Sequence, residues 1–451
     1  MASSRKSRYP DPESIAEQVA RRHLIPGERV VLGLSGGLDS VVLLHVFKKL
    51  ASTLGVELSC LHVNHGISPN AQLWAEFCSA LCTKWGVPLA VERVDISVHA
   101  DQGVEAAARI ARRAAFEKQD AQWILLAQHQ DDQAETLLLQ LFRGAGIKGL
   151  ASMGEVGHLH DRKLLRPFLS VARKELEAYA KENGLEWVDD ESNLDQRYDR
   201  NFVRHGLSPL IEQRYPAFKR TLSRSCDHLA EASSLLADLA QIDSMGAVEG
   251  NALSASRLAE LSEARAKNLL RHFLDGCGVR MPSERRLREM LKQLLGARRD
   301  ASVAIGHDGF EIRLYKGMVR VVEPHPLANF CRHWHGERRL DLPELGGAIL
   351  FEEAEEGIDP ARLAYPLTIR ARAGGERFRP GKNRPEKTLK HLFQECSIPP
   401  WQRYRIPLLY CGDRLIWVPG IGMDPAFGVE NGFLPRWEPN SPQICDIAEK
   451  A

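Results

Sequence analysis

The chain lacks any long apolar run. Stretches such as 41–44 and 137–139 fall far short of the roughly 20 residues that span a bilayer, so no membrane protein is expected. It also lacks a Cys-x-x-Cys pair, although it has nine cysteines. Cys78 and Cys82 stand one helical turn apart with no second pair at zinc-site spacing. Reduced, buried thiols of an intracellular protein are therefore the expectation. An excess of one charge is absent too: 60 Lys and Arg face 59 Asp and Glu, for a net charge of +1. Local patches, not a global field, would have to hold any RNA partner. No internal repeat or low-complexity tract appears. With 44% hydrophobic and 26% charged residues, collagen-like, coiled-coil and mostly disordered chains are excluded. The opening MASSRKSRYPDPES has basic residues with no apolar segment behind them. A secretory signal is not expected, and the cytoplasm is the default.

What remains is 451 residues, enough for about three domains. Residues 29–34, 56–63, 89–94 and 123–127 read as strands. They alternate with helical spacing over 39–50, around Leu73, Phe77 and Leu81, over 104–116 and over 131–142. This cadence predicts an α/β fold with a parallel sheet and helices on both faces. A further strand at 164–168 and a helix with Ser170 as its N-cap, ending near Asn183, complete residues 1–215. Long helical patterns at 222–242, 253–274 and 283–295, then a hairpin over 301–322 turning at Asp308-Gly309, describe an α-rich domain over 216–325. Residues 326–360, with the acidic cluster Glu352, Glu353, Glu355 and Glu356, read as a connection with some strand content. A small mixed α/β domain follows over 361–440, with strands at 367–371, 408–410 and 415–419 around a helix at 388–394.

The sharpest chemical signal is Ser35-Gly36-Gly37-Leu38-Asp39-Ser40. It follows a buried strand and opens a helix, where successive backbone N–H groups and the helix N-terminus hold phosphate. Gly36 and Gly37 let phosphate approach the backbone closely, and the Ser35 and Ser40 hydroxyls add donors. A carboxylate at Asp39 would repel a polyphosphate unless Mg²⁺ bridged the two. The loop therefore argues for a magnesium nucleotide. It lacks the Walker A pattern and resembles the PP-loop ATP pyrophosphatases, which cleave ATP between the α and β phosphates.

The second signal runs from Gln128 to Thr136 at the end of the fourth strand. Asp132 and Glu135 are three apart, so both project from one helical face and could cradle a substrate ammonium. Acids complementing a helix N-terminus are the plain alternative, which leaves His129 unexplained.

Further motifs follow in a fixed order: HVNHGI at 62–67, GVEAAAR at 103–109, HQDDQAET at 129–136, LFRGAGIKGL at 141–150 and DDESNLDQRYDRNFVR at 189–204. Together they resemble the tRNA(Ile)-lysidine synthetases, as does the stretch 376–422. Two departures stand out: Gln128 where the family often has a histidine, and Ile67-Ser68 where it commonly has Leu-Arg.

The resemblance implies an enzyme that adenylates the wobble cytidine of isoleucine tRNA with ATP and Mg²⁺ and then joins free L-lysine to it. In that reading Ser35, Gly36, Gly37, Leu38, Asp39 and Ser40 hold ATP, and Asp39 reaches Mg²⁺. Asp132 and Glu135 hold lysine and serve catalysis beside Asp39. Arg109, on one helical face with Glu105, stands near the nucleotide or the target base. An exposed ion pair of about 0.3–0.5 kcal/mol is the bland alternative for that pair. Arg204 contacts tRNA phosphate, and Arg200 does the same or lies on a solvated face. His62 and His65 lie where adenine is expected, with packing as an equal reading. A dimer is left open.

Residues 370–390 hold eight basic residues against two acids. Arg377, Arg379, Lys387 and Lys390 are the expected tRNA contacts there, and Phe378 and Phe393 are expected in a small core. Rival readings are a PP-loop tRNA cytidine 2-thiolase, which the missing Cys-x-x-Cys pairs disfavour, and a non-catalytic tRNA-binding protein. If six of the eight basic residues neutralise phosphates, the log–log salt slope of tRNA binding is about −4 to −5. A salt titration returning a slope near zero removes the patch from RNA binding.

Overall fold

The structure is a computed structural model that describes residues 11–95, 97, 103–191, 195–297, 303–323, 330–363, 367–382 and 384–440. The Glu105 side chain lies outside the described residues. The chain divides into two compact units, Met1–Asp238 and Leu239–Ala451.

The first unit runs α1 (Pro12–His23), β1 (Arg29–Gly33), α2 (Leu38–Leu54), β2 (Glu57–Asn64), α3 (Ala71–Trp85), β3 (Leu89–Arg93), α4 (Val104–Glu117), β4 (Trp123–Leu125) and α5 (Gln130–Phe142). Then come α6 (Ile147–Leu150), β5 (Val156–Leu159), β6 (Arg162–Leu165), α7 (Arg173–Glu182), α8 (Asp199–Asn201), a π-helical turn Phe202–Leu207, and α9 (Ser208–Arg214). Helix α10 (Phe218–Ser244) contains the boundary between the units.

The sheet order is β3-β2-β1-β4-β6-β5. All neighbours pair in parallel except the β5–β6 hairpin. Strand β1 shows why a parallel strand reads as a continuous apolar run. Its Val30 and Leu32 pack with Val42, Leu43 and Phe47 of α2 on one face. Val31 packs with Leu61, Phe116 and Ile124 on the other. The strand order reverses between β1 and β4, and at such a point the carboxyl ends of the strands open a ligand crevice.

In the second unit β7 (Val248–Glu249), β8 (Ala252–Ser254), α11 (Ala255–Glu260), α12 (Glu263–Gly276), α13 (Glu284–Gly296), β9 (Val303–His307), β10 (Phe310–Tyr315) and β11 (Met318–Val322) follow α10. The three helices pack on a five-stranded sheet of order β7-β8-β11-β10-β9. The rest comprises β12 (Cys331–Trp334), β13 (Arg339–Leu342), β14 (Gly347–Ile358), β15 (Leu367–Arg370), β16 (Arg377–Phe378), β17 (Lys387–Thr388), α14 (Leu389–Glu395), β18 (Leu408–Cys411), β19 (Arg414–Val418), β20 (Gly422–Met423) and β21 (Gly428–Pro439).

Several local expectations are corrected. The 164–168 strand is shorter and is the second arm of a hairpin whose turn carries no glycine: His160 takes φ 48° itself. Ser170 does not cap α7; the helix starts at Arg173, where the Glu175 carboxylate accepts from Ala172 N at 2.9 Å. The single helix at 253–274 is broken because Ser262 is extended, at φ −61° and ψ 154°. The 301–322 hairpin turns at Asp308-Gly309 and again at Lys316-Gly317, both pairs at positive φ, giving three strands. The 326–360 stretch supplies β12, β13 and β14, which pair with β15 and β21, so its strands are built into the C-terminal sheets.

Three helices of the first unit are tied by one acid. Glu13 of α1 accepts from Lys49 Nζ of α2 and Tyr179 OH of α7, each at 2.9 Å. The Lys49 hydrogen bond, reinforced by Tyr179 and opposed by burial, holds the Glu13 carboxyl below its ordinary range. A depressed folded-state pKa stabilises above the unfolded value, and that stabilisation is lost as pH falls through the folded value. Glu13→Gln should therefore lower stability at neutral pH and flatten its decline below about pH 4.3, as read by urea unfolding across pH. An unchanged profile would remove Glu13 from the acid response.

Candidate active site

Between β1 and α2 the chain makes the turn that the sequence singles out. Gly36 has φ +88°, a conformation that glycine adopts without strain. A Cβ there would also come within 2.9 Å of Val188 Cγ2 and 3.2 Å of Cys78 Sγ. Val188 N donates to Gly36 O at 3.0 Å, so the segment after α7 braces the loop from behind. The hydroxyls expected on phosphate are engaged inside the loop. Ser35 N donates to Ser40 Oγ at 3.2 Å, Gly37 N to Ser35 Oγ at 3.3 Å and Ser40 Oγ to Gly37 O at 2.9 Å. They shape the turn, leaving the first N–H groups of α2, which have no intrahelical acceptor, to face an anion.

The second cluster grows from the N-terminus of α5. His129 caps it: Asp132 N donates to His129 Nδ1 at 3.4 Å, and His129 N donates to Asp132 Oδ2 at 3.0 Å. This is the role of His129 that dipole arguments alone leave out. Its Nε2 lies 3.5 Å from Asp39 Oδ2 and 3.6 Å from Asp132 Oδ2. The ring therefore links the phosphate loop to the paired carboxylates. Burial opposes a charge on His129, but Asp132, Asp39 and Asp131 outweigh it and raise its pKa. Burial likewise opposes charge on Asp132, and His129 and Arg200 overcome it, lowering its pKa. Asp39 Oδ1 is buried without a hydrogen bond. Arg173 Nε stands 3.9 Å from that oxygen, beyond hydrogen-bond distance, and a carboxylate oxygen without a hydrogen bond beside a phosphate loop fits a hard divalent cation, which takes oxygen ligands.

Asp132 and Glu135 do converge, but on two guanidiniums. Arg200 Nε donates to Glu135 Oε2 at 2.9 Å and Nη2 to Asp132 Oδ1 at 2.7 Å. Arg204 Nε donates to Glu135 Oε1 at 2.7 Å, with Nη2 3.3 Å from Asp132 Oδ1. Arg200 is thus engaged by carboxylates and not on a free solvated face, and Arg204, expected on tRNA phosphate, is paired with the same carboxylates while part of its side chain stays exposed. The physical reason is burial: Glu135 is only 4% exposed, and a buried carboxylate needs a paired cation. The π-helical turn that carries Arg204 begins at Phe202, two residues after Arg200, and such turns are frequent at functional sites.

A cavity of about 860 Å³ opens on the phosphate loop. Ser35, Gly37, Leu38, Asp39 and Ser40 line it together with His62, His65, Arg109, Arg173 and Arg204. Asp132 and Glu135 are not among its lining residues. His62 Nδ1 lies 2.9 Å from Leu34 O, so it packs behind the loop while reaching the cavity. Arg112, Arg113, Arg166 and Arg173 line it as well. Sequence reading missed them for want of a motif, although Arg112 and Arg113 lie on the helix that was expected to carry Arg109.

In the second unit Phe378 and Phe393 are buried at 2% and 0% exposure, as expected of core residues. Arg377 pairs with Glu386 at 3.0 Å and Lys387 with Glu395 at 2.5 Å. Arg379 donates to the Lys382 and Arg384 carbonyls. Lys390 is exposed.

With this geometry stated, comparisons with known proteins agree along the chain. A PP-loop domain matches residues 12–211, a TilS substrate binding domain 253–320 and a TilS substrate C-terminal domain 367–434. A tRNA(Ile)-lysidine synthase of Nitrosomonas europaea is 44% identical over 432 residues, 93% of this chain and 94% of that one. The chain belongs to the tRNA(Ile)-lysidine synthase family. A second member, from Ralstonia nicotianae, is 40% identical over 91% of this chain and 92% of that one. Among solved structures, a U34-tRNA thiolase from Methanococcus maripaludis is 19% identical over 49% of this chain and 78% of that one, with a TM-score of 0.42. No helix among the described residues is long and apolar enough to cross a membrane.

Family membership leaves the carboxylate–guanidinium knot to be tested on its own. Replacing Arg200 by Met strips Glu135 and Asp132 of part of their compensation. A loss of about 1–3 kcal/mol in urea unfolding is expected, and unchanged stability would show that Arg204 alone suffices.

Proposed function

We propose that this protein ligates L-lysine to the wobble cytidine of the isoleucine tRNA with a CAU anticodon, changing its codon from AUG to AUA. ATP is converted to AMP and pyrophosphate. The observation that carries the reading is the link made by His129 between Asp39 of the phosphate loop and Asp132 of the paired carboxylates. It supports a site where nucleotide chemistry and amine chemistry meet.

The chemistry is two substitutions. The cytosine 2-keto oxygen attacks the α-phosphorus of ATP, forming the O–P bond as the bond to pyrophosphate breaks. The lysine ε-amine then attacks C2, and AMP leaves with the oxygen. An unperturbed lysine amine has a pKa of about 10.4, so it must lose a proton on the enzyme. Asp132 or Glu135, or a water they orient, accepts it. The amine takes oxygens that Arg200 and Arg204 yield. The loop 35–40 positions the triphosphate, and Arg109 stands by the nucleotide or base. Asp39 would hold Mg²⁺, which when bound offsets negative charge on the phosphates.

The tRNA is assigned to residues 216–325 and 361–440, with Arg377, Arg379, Lys387 and Lys390 on phosphate; each would exchange an internal partner or water for RNA. Residues 1–215 are assigned to catalysis. Arg204 is better supported as a partner of Asp132 and Glu135 than as a phosphate contact. As a member of a family that acts on tRNA, the protein is assigned to the cytoplasm.

The test is mass analysis of the nucleosides of unmodified isoleucine tRNA after incubation with enzyme, ATP, Mg²⁺ and isotopically labelled lysine. The cytidine should gain the lysine label, and sulfur incorporation or unchanged cytidine would refute the reading. Asp39→Ala should slow AMP formation roughly 10²–10³-fold while tRNA still binds. Undiminished AMP formation in that variant would take Asp39 out of the mechanism.

A further inference from the structure

Arg173 is the first residue of α7 and lines the cavity, yet the reaction as derived gives it nothing to do. Its backbone is fixed. Arg173 N donates to Asp131 Oδ2 at 3.0 Å, and Asp131 Oδ1 accepts from Lys219 Nζ at 2.5 Å. The start of α7 is thereby pinned to the first turn of α5, next to Asp132. The side chain is not held in this way. Its guanidinium makes no hydrogen bond among the described residues, and its Nε stands 3.9 Å from Asp39 Oδ1, with the two side chains 47% and 29% exposed. A pair so loose and so open to water contributes little, and a ligand displaces it at small cost. Arg200 and Arg204, by contrast, are bonded at 2.7–2.9 Å to the buried Asp132 and Glu135.

The neighbour of Arg173 says which anion it meets. Asp39 belongs to the phosphate loop, and its Oδ1 is the oxygen without a hydrogen bond that fits a divalent cation. Oxygens bound to one octahedral magnesium ion lie about 3 Å apart. A phosphate oxygen that shares a cation with Asp39 Oδ1 therefore comes as near to that oxygen as Arg173 Nε already is. The closest anion for this guanidinium is the part of the triphosphate that the cation holds. Adenylation breaks the bond between the α-phosphorus and the oxygen bridging to the β-phosphorus. The electron pair passes to that oxygen, so the departing pyrophosphate gains one negative charge. The cytosine oxygen enters roughly in line from the other side, and the tRNA brings its own phosphates with it there. A cation grouped with the metal-holding carboxylate stands where the leaving group's charge builds.

We propose that Arg173 is a catalytic residue of the first step, hydrogen-bonding the departing pyrophosphate at oxygens beside the cation on Asp39. This rests on the adenylation half of the reading above. The bond from its backbone to Asp131 sets where the arm begins. The unengaged guanidinium offers five N–H donors in a fixed fork, which matches phosphate oxygens in pairs.

The experiment compares pyrophosphate with AMP, the two products of cleavage, as ligands of the full chain in titration calorimetry with Mg²⁺. In Arg173→Met the Kd for pyrophosphate should rise roughly 10–100-fold, the range of a lost hydrogen bond to a charged group. The Kd for AMP should stay within about twofold of the wild-type value. In a single turnover at saturating ATP without lysine, transfer of AMP to unmodified isoleucine tRNA should slow roughly 10²–10³-fold. An unchanged pyrophosphate affinity overturns the proposal, as does an equal weakening of AMP, which would put the contact on the α-phosphate. So does weakened tRNA binding with its salt slope reduced by about 1, the mark of a contact to an RNA phosphate, or a loss confined to the KM for lysine. If Arg173→Met does not fold, Arg173→Lys makes the same comparison, with a smaller rise for pyrophosphate and none for AMP expected. Wild-type enzyme that transfers no AMP to the tRNA would defeat the function itself, whereas AMP transfer with unaltered pyrophosphate affinity in the variant defeats only the role of Arg173.

Discussion

Charge balance in one wall of the first unit governs the rest of the structure. Asp39, Asp132 and Glu135 are carboxylates crowded against a loop built to receive a polyanion. Left alone they would repel both one another and the nucleotide. The chain answers with His129 between Asp39 and Asp132 and with Arg200 and Arg204 across Asp132 and Glu135. Of these three acids, Asp39 is the one that keeps a buried oxygen without a hydrogen bond, and it is the residue proposed to hold a divalent cation.

That balance requires segments far apart in sequence. The order reversal between β1 and β4 brings the N-termini of α2 and α5 to one crevice. The segment after α7 then returns, so that Val188 supports Gly36 from behind and residues 200–204 reach the α5 acids. The loop is rigid before any ligand arrives because its serines are bonded to each other and to its backbone. Pre-set N–H groups need no reorganisation at the moment of reaction, which is where electrostatic catalysis gains most.

The parallel sheet and the two signature segments were legible because each is local. A buried strand, a glycine turn and a helix start leave their marks within a dozen residues. The partners of Asp132 and Glu135 were not legible: Arg200 is 68 residues from Asp132, and an arginine with that spacing looks the same in sequence whether it meets carboxylate, phosphate or water. Arg166 was hidden for the same reason. Its bond to Gln128 crosses 38 residues, and only the β4–β6 pairing reveals it. The hairpin at 156–165 escaped notice because its turn uses His160 at positive φ where glycine or asparagine would have announced it. The break at Ser262 escaped because apolar spacing continues through it, and a period alone does not show where a helix stops.

The central claim is that the loop presents the α-phosphorus of ATP to a pyrimidine carbonyl. It is tested most directly by withholding lysine and following ATP labelled in turn at the α and γ phosphorus, with unmodified isoleucine tRNA as acceptor. The account predicts α label on the wobble cytidine and γ label only in pyrophosphate. Formation of ADP, or γ label on the RNA, would contradict it.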